Sequence, residues 1–297
     1  TGLLVNTFWL VLGVALGTLA LGVGFAWLTA VCEFPGRRIF TWALLLPLAI
    51  PSYVTAFIFI SLFDFTGPVQ TTLREWLGSD LFWFPKVRGR LGITIVMILA
   101  LYPYVYLLAR NAFLTQGKRM LEAAQSLGLN QVQGFFRVAL PMARPWIASG
   151  VMLALMETLA DFGTVAVFNY DTFTTAIYKA WFGMFSLTAA SQLASVLVLI
   201  AVVTLVVEQQ SRSRQRFHDT RLTARMARIP LKGAKAWLAC GSAGAVLFFA
   251  FALPVAQLLL WAAAVVAQDF DQRYLQFLGH SLLLSGAAAL LTGAIAL

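Results

Sequence analysis

Long apolar runs, separated by shorter polar stretches, dominate the chain. A bilayer core about 30 Å thick needs about 20 mostly apolar residues in one helix. Seven runs are long enough: 7–30, 39–63, 91–109, 143–163, 187–207, 236–262 and 279–297. This pattern predicts an all-α fold, a polytopic membrane helical bundle with about seven spans.

The composition leads to the same conclusion, since 60% of the 297 residues are hydrophobic and only 11% are charged. Soluble domains average roughly 45–50% apolar and about 25% charged residues, and a soluble fold of this size could not bury so much apolar surface. The two cysteines, Cys32 and Cys240, are far apart and fit no disulfide framework or metal motif. The numbers exclude a soluble, disordered or disulfide-stapled protein, and we expect no metal site.

Positive charge is distributed unevenly along the chain, whose formal net charge is +9. Basic residues of membrane proteins gather in cytoplasmic loops. One alternating set of loops holds fifteen Lys and Arg residues against six in the other set, and eight of the fifteen fall in 211–235. We therefore expect 211–235 to be cytoplasmic and Thr1 to be periplasmic. The charge needs no nucleic-acid partner to explain it.

The first and last spans resemble each other weakly, because setting Asn6 against His280 aligns several Leu, Ala and Thr residues. Internal repeats of this kind are common in transporters. We expect 1–210 to form a first half, 211–235 a basic linker, and 236–297 the start of a second repeat. The apolar run that ends at Leu297 has no polar flank, so we also expect the chain to be part of a longer protein.

The region 118–145 is too polar for a span and has the pattern of two short helices. An apolar stripe ends at Gly128, which can adopt the left-handed conformation that stops a helix. Asn130 and Gln133 then have the spacing of a capping box that opens a second helix. We expect Pro141 to end this second helix before the fourth span. One face of it should carry Val132, Phe135, Phe136 and Ala139.

The fixed spacing in this region resembles the EAA loop of ABC importer permeases. The matching residues are Glu122, Ala123, Ala124, Gly128, Val138, Leu140 and Pro141, and the family usually has Ile where Val138 stands. The resemblance implies a permease bundle of the type I ABC importer kind, in which the loop 118–141 docks in a cleft of an ATPase subunit. Small alanines would allow close approach, and Glu122 offers a charge for a basic partner. These seven residues are therefore the predicted ATPase-coupling set.

The resemblance also implies partners: an ATP-binding cassette ATPase dimer, a periplasmic substrate-binding protein, a second permease half in the same or another chain, and the bilayer of the bacterial inner membrane. We expect no enzyme activity in this chain. The stretch 112–119 has Ala112 and Arg119 where a phosphate-binding loop needs Gly and Ser or Thr. No cofactor is expected here, and ATP and magnesium would be bound by the partner ATPase.

The stretch from about Tyr102 to Trp261 resembles ferric-iron (Fe3+) importer permeases of the fused double-length type. This resemblance implies ferric iron as the substrate. Permeases for thiamine, polyamines, phosphonates and sulfate share the architecture, so these substrates stay open. In such importers the binding protein performs most of the substrate selection.

Glu157 and Asp161 in the fourth span have i, i+4 spacing and so should share one helix face. Acids within a span are costly and usually face a cavity or a partner. We predict that the pair lines a substrate pathway and draws in a cation. A purely structural role, bonding to neighbouring helix ends, is an equal alternative. An ion-coupled secondary transporter, with the pair binding the coupling cation, is a further one.

Two other groups of span residues invite predictions. Tyr102, Tyr104 and Tyr106 alternate in the third span, and we expect membrane-interface anchors rather than iron ligands. Pro47, Pro51 and Pro103 lie in or near spans and should kink their helices, and neighbouring helices should satisfy the carbonyls that they free.

Overall fold

The computed structural model describes residues 2–78, 86–115, 128–213, 228–269 and 272–296. These residues are almost entirely helical, which confirms the predicted fold class. The helices are α1 (Gly2–Val31), α2 (Arg37–Ala43), α3 (Ser52–Phe63), α4 (Pro68–Leu77), α5 (Arg90–Thr115), α6 (Gln131–Gly134), α7 (Leu140–Ala160), α8 (Gly163–Val167), α9 (Phe173–Tyr178), α10 (Leu187–Ser213), α11 (Ala234–Leu247), α12 (Leu253–Asp269) and α13 (Gln272–Ala296). A 3-10 helix spans Leu46–Ala49, and π-helical turns span Phe135–Ala139, Lys179–Gly183 and Phe248–Ala252.

Within the described residues, seven helical stretches are long and apolar enough to cross a membrane, as predicted. They are Gly2–Val31, Ser52–Leu77, Arg90–Thr115, Phe135–Ala160, Leu187–Val206, Ala234–Val265 and Arg273–Ile295. Helix also covers most of the polar stretch 268–278 between the last two apolar runs, because α12 extends to Asp269 and α13 begins at Gln272. Helix-compatible polar residues extend these two helices beyond their apolar runs.

The predicted span 39–63 is not one helix. The helix α2 ends at Ala43, and α3 begins only at Ser52, after Pro47 and Pro51. Proline lacks the N–H that a continuous helix requires, which frees carbonyl groups upstream. The apolar run therefore folds as two helices with a 3-10 turn between them.

Two buried tyrosines of α5 satisfy carbonyls next to this break. The Tyr102 hydroxyl donates to the Leu44 carbonyl at 2.9 Å, and the Tyr106 hydroxyl donates to the Thr41 carbonyl at 3.0 Å. The expectation that neighbours satisfy freed carbonyls is confirmed here. The expected interface role of Tyr102 and Tyr106 is wrong, because both side chains are fully buried in the core.

The helix α5 is the centre of the bundle and packs between α1 and α7. Glycines allow this close approach on both sides of Val105. A Cβ added to Gly22 of α1 would lie 2.6 Å from the Val105 Cβ, and one added to Gly150 of α7 would lie 2.7 Å from the Val105 Cα. Small residues at helix contacts are the usual means of tight packing in membranes.

A short parallel strand pair joins the segment after α1 to the segment before α11. β1 (Cys32–Glu33) pairs with β2 (Ile229–Pro230). The Glu33 carboxylate binds Arg37 at 3.0 Å and Arg228 at 3.6 Å. Buried Arg37 also donates to the Thr29 carbonyl at 3.2 Å, in the last turn of α1, where carbonyls lack helical partners.

The chain divides into two compact units, residues 1–254 and 255–297. The first unit contains α11, whose buried Ala243 belongs to the same core as α1, α5 and α7. The predicted division into 1–210, 211–235 and 236–297 stays a prediction.

Candidate functional site

The candidate coupling site begins where the described part of the EAA loop begins. Glu122, Ala123 and Ala124 lie outside the described residues. Gly128 has a φ of +81°, so the predicted left-handed residue is present. Residues with a Cβ rarely adopt this conformation, which explains a glycine at this position.

The predicted capping box follows directly. The Gln133 backbone N–H donates to Asn130 Oδ1 at 2.8 Å, and the Asn130 backbone N–H donates to Gln133 Oε1 at 3.2 Å. Each side chain thus satisfies a backbone donor that the helix leaves free. The start of α6 is fixed by these two reciprocal bonds.

Pro141 does not end the second helix, so that expectation is wrong. The π turn Phe135–Ala139 leads directly into α7, and Phe135–Ala160 forms one helical stretch. Within the turn, the Leu140 N–H donates to the Phe135 carbonyl, five residues back. The wider turn accommodates the ring and missing donor of Pro141, so the loop joins the fourth span through unbroken helix.

An aromatic cluster holds this turn against the bundle. It consists of Trp27 of α1, Phe113 of α5 and Phe135. The Phe135 ring centroid lies 4.6 Å from that of Trp27 and 6.3 Å from that of Phe113, and Trp27 and Phe113 are 5.6 Å apart. The aromatic residues at the ends of two earlier spans are the sequence signal for this cluster, which helical periodicity alone does not reveal.

The other coupling residues line the same helical stretch. Ala139 is buried, and Val138 and Leu140 are half-buried. Phe136 is 61% exposed, whereas Phe135 is half-buried, and the shared apolar face stays a prediction. The Phe136 ring still lies against that of Phe135, with the centroids 4.8 Å apart and an interplanar angle of 78°.

Asp161, at the opposite end of α7, is held by several donors. Its carboxylate accepts hydrogen bonds from the Ser52 hydroxyl at 2.8 Å, from the Thr164 N–H at 2.8 Å and hydroxyl at 2.9 Å, and from the Val165 N–H at 3.3 Å. Its backbone carbonyl accepts from the Thr174 hydroxyl at 2.8 Å. One residue thereby connects the end of α7 to the starts of α3, α8 and α9. These hydrogen bonds to neighbouring helix ends are those expected if Asp161 has the purely structural role, which is the alternative to a role in a substrate pathway.

Glu157 lies one turn earlier and has a different environment. Its side chain is exposed. Among the residues that the structure describes, no three His, Cys, Asp or Glu side chains gather as a metal site. The pathway role of Glu157 and Asp161 stays a prediction.

Comparison with known proteins identifies the family. The family described as "Binding-protein-dependent transport system inner membrane component" matches residues 18–217, a range that includes the EAA loop, Glu157 and Asp161. The chain belongs to this family. The permease is therefore a multi-pass inner-membrane component of a transport system, and its resemblance to ABC importer permeases is confirmed.

Two relatives show how the permease aligns with proteins of assigned substrate. It is 31% identical over 296 residues to the "Fe(3+)-transport system permease protein FbpB 2" of Haemophilus influenzae, an alignment that covers 98% of the chain. The chain spans about half of that relative, 54% of its length. It is also 31% identical over 202 residues to the "Sulfate transport system permease protein CysW" of Synechocystis, covering 66% of the chain and 71% of the relative.

The permease also shares its fold with a solved structure of the MetNI methionine ABC transporter in an inward-facing conformation. The TM-score is 0.54 at 15% sequence identity, and the match covers 71% of this chain and 94% of the other. Identity this low supports a common fold and nothing further. The two chains thus share a helical-bundle fold.

Proposed function

We propose that the permease is the transmembrane part of a bacterial ABC importer for ferric iron. A periplasmic binding protein delivers the iron, and an ATPase dimer docks on the EAA loop. The observation that carries this proposal is the alignment with the ferric-iron permease, which extends over nearly the whole chain. The alignment with the sulfate permease is equally identical but covers two thirds of the chain.

The described geometry of the EAA loop supports a coupling role. Gly128 turns the chain, the capping box of Asn130 and Gln133 fixes the next helix, and helix continues through Pro141 into the fourth span. A short, capped segment of this kind moves as a rigid body. Movement of the described part of the loop, from Gly128 onward, would therefore reach the fourth span.

The proposed orientation places the EAA loop and 211–235 in the cytoplasm and Thr1 in the periplasm. The fifteen basic residues on that set of loops, against six on the other, support it. ATP and magnesium are bound by the partner ATPase in this scheme. The permease itself contributes the pathway and performs no hydrolysis.

The exposed carboxylate of Glu157 supports a cation as cargo. Ferric iron is a hard cation and prefers oxygen ligands such as carboxylates over sulfur ligands. A conduit must also release what it binds, so a single exposed carboxylate suits passage better than a closed site. Asp161 stands one turn further on, although its oxygens already accept four hydrogen bonds.

Sulfate is the second candidate substrate, because the relative from Synechocystis is a sulfate permease. An exposed carboxylate in the pathway would repel this dianion. The two candidates therefore differ in the sign of charge that Glu157 favours.

Transport by the purified system tests the proposal. The permease, its ATPase and its binding protein are reconstituted in proteoliposomes and supplied with radiolabelled ferric iron or sulfate. We expect ATP-dependent accumulation of iron and iron-stimulated ATP hydrolysis, with no accumulation of sulfate. Sulfate accumulation without iron accumulation would reject iron in favour of the second candidate. Uptake driven by an ion gradient without ATP would reject the importer assignment.

The same vesicles test the coupling loop. Gly128→Leu forces a branched side chain onto a backbone with φ of +81°, and we expect iron uptake to fall at least several-fold while the protein remains inserted. Glu122→Lys should have the same effect by reversing the proposed docking charge. Gly233→Leu is the matched control, because Gly233 also has positive φ (58°) and open space around it but lies outside the EAA loop. Normal coupled uptake in both loop variants would contradict the coupling role.

A further inference from the structure

The EAA loop meets the bundle by two routes. One is covalent and runs through the π turn Phe135–Ala139 into α7. The other is a side-chain contact, in which the Phe135 ring touches Trp27 of α1 and Phe113 of α5. The first residue of the π turn thus belongs to both routes.

The covalent route changes its hydrogen-bonding pattern where it leaves the loop. The π turn replaces regular α-helical bonds, since the Leu140 N–H reaches back five residues to the Phe135 carbonyl. Pro141 and Pro145 follow in the first turns of α7, and neither has an N–H to donate. π turns of this kind are frequent at functional sites.

The side-chain route is embedded in the core. Phe113 is 1% exposed, and Trp27 and Phe135 pack against the same buried cluster that contains the centre of α5. The rings of Trp27 and Phe135 meet edge to face at 4.6 Å, with an interplanar angle of 63°. Aromatic pairs favour this geometry, and close packing of the two half-buried rings against the core resists displacement.

We propose that Phe135 is a positioning residue that transmits movement of the EAA loop to α1 and α5 through Trp27 and Phe113. The inference rests on the proposed function, because it assumes that an ATPase moves the loop. It adds that the first and third spans move with the loop directly, and do not merely follow α7. Loss of the Phe135 ring should therefore reduce coupling more than it reduces folding or ATPase binding.

The test compares Phe135→Leu with a control substitution at the equivalent position of a segment with a similar sequence. Phe135-Phe136-Arg137-Val138-Ala139-Leu140-Pro141 matches Phe248-Phe249-Ala250-Phe251-Ala252-Leu253-Pro254, and both segments open with a π turn. Phe248→Leu changes the equivalent position of the second turn, where the ring is 50% exposed and stacks edgewise on its neighbour Phe249. It reports the cost of altering such a turn away from the EAA loop.

Uptake and ATP hydrolysis are measured in the same proteoliposomes. We expect Phe135→Leu to lower substrate transported per ATP hydrolysed by about fivefold or more, the usual lower range of coupling between sites. The amount of ATPase that co-purifies should not change. Phe248→Leu should keep the wild-type ratio, and Phe135→Tyr, which retains the ring, should restore it.

A second variant keeps the test decisive. Trp27→Leu should lower the same ratio, and the double variant of Trp27 and Phe135 should be no worse than the poorer single variant, because both act through one contact. A wild-type ratio in Phe135→Leu, or independent effects in the double variant, would overturn the inference. If Phe135→Leu does not fold, a wild-type ratio in Trp27→Leu overturns it alone. A wild-type protein without ATP-driven uptake would instead contradict the proposed function.

Discussion

The carboxylate of Asp161 holds three helical segments at one point, the starts of α3 and α8 and the end of α7. A charged group in a span is expensive unless donors surround it. Two hydroxyls and two backbone N–H groups supply that compensation. Glu157 lies one turn away, and its side chain is exposed. It therefore does not need the surrounding donors that compensate the charge of Asp161.

Single substitutions should separate the two acids. Asp161→Asn replaces one accepting oxygen by an NH2 group, which cannot accept a hydrogen bond from Ser52 or Thr164. We therefore expect the Tm to fall, because an unsatisfied buried hydrogen-bonding group costs about 1–3 kcal/mol. Glu157→Gln should leave the Tm unchanged and lower ferric-iron uptake. Thermal unfolding and uptake by each variant check both statements. Unaltered uptake in Glu157→Gln would remove Glu157 from the pathway, and an unaltered Tm in Asp161→Asn would show that its bonds are dispensable.

Residue type alone did not predict which polar side chains are buried. Arg37 and Arg38 are adjacent and count equally toward the positive loops, yet Arg37 is buried on the end of α1 and Arg38 is exposed. Tyr102 and Tyr106 have the composition of interface anchors but bind carbonyls in the core. Such roles depend on a tertiary neighbour, which hydropathy does not report.

At the scale of elements, proline had two different effects. Pro47 and Pro51 break an apolar run into α2 and α3, as their missing N–H predicts. Pro141 interrupts nothing, because a π turn of five residues precedes it and leaves room for its ring. The segment before Pro254 folds in the same way. Pro141 and Pro254 both follow the same Phe-Phe-x-x-Ala-Leu-Pro pattern.

The packing of α1 on α5 gives a prediction for Gly22 and Gly24, two glycines of α1 that are separated by one residue. Gly22→Ala would place a Cβ 2.6 Å from the Val105 Cβ and 2.9 Å from the Tyr106 nitrogen, so α1 and α5 must separate. Gly24→Ala is the control, since no atom lies within 4 Å of its Cβ. We expect Gly22→Ala to lower the Tm, because overpacking of this kind costs about 1–3 kcal/mol of stability. Gly24→Ala should leave the Tm unchanged or raise it slightly. Equal Tm values would show that the contact at Val105 is not tight.

At the scale of the whole molecule, hydropathy predicted the helical class and the seven spans but not their continuity. A run of apolar residues records that a segment avoids water, whether or not it is one helix. The run 39–63 therefore concealed a break. Conversely, polar residues at 268–278 concealed two helices that nearly meet, since α12 reaches Asp269 and α13 starts at Gln272.

A test of the proposed orientation by cysteine labelling requires a protein background without reactive native thiols. Burial raises the pKa of the Cys32 thiol to about 11, so little reactive thiolate forms near neutral pH. Cys32 should therefore stay unlabelled in the folded protein. Cys240 is half-buried and is replaced by alanine as a precaution.

In that background, single cysteines placed on opposite loops should label oppositely. Lys232→Cys lies within the basic segment 211–235, whose charge opposes translocation, so an impermeant thiol reagent should not reach it in intact cells. Lys86→Cys and Arg273→Cys lie on the proposed periplasmic side, at exposed positions, and should react. Permeabilised cells provide the control, because Lys232→Cys must then label and show that only the membrane had protected it. The reverse pattern in intact cells would place the EAA loop in the periplasm, out of reach of any ATPase, and would reject the coupling mechanism together with the orientation.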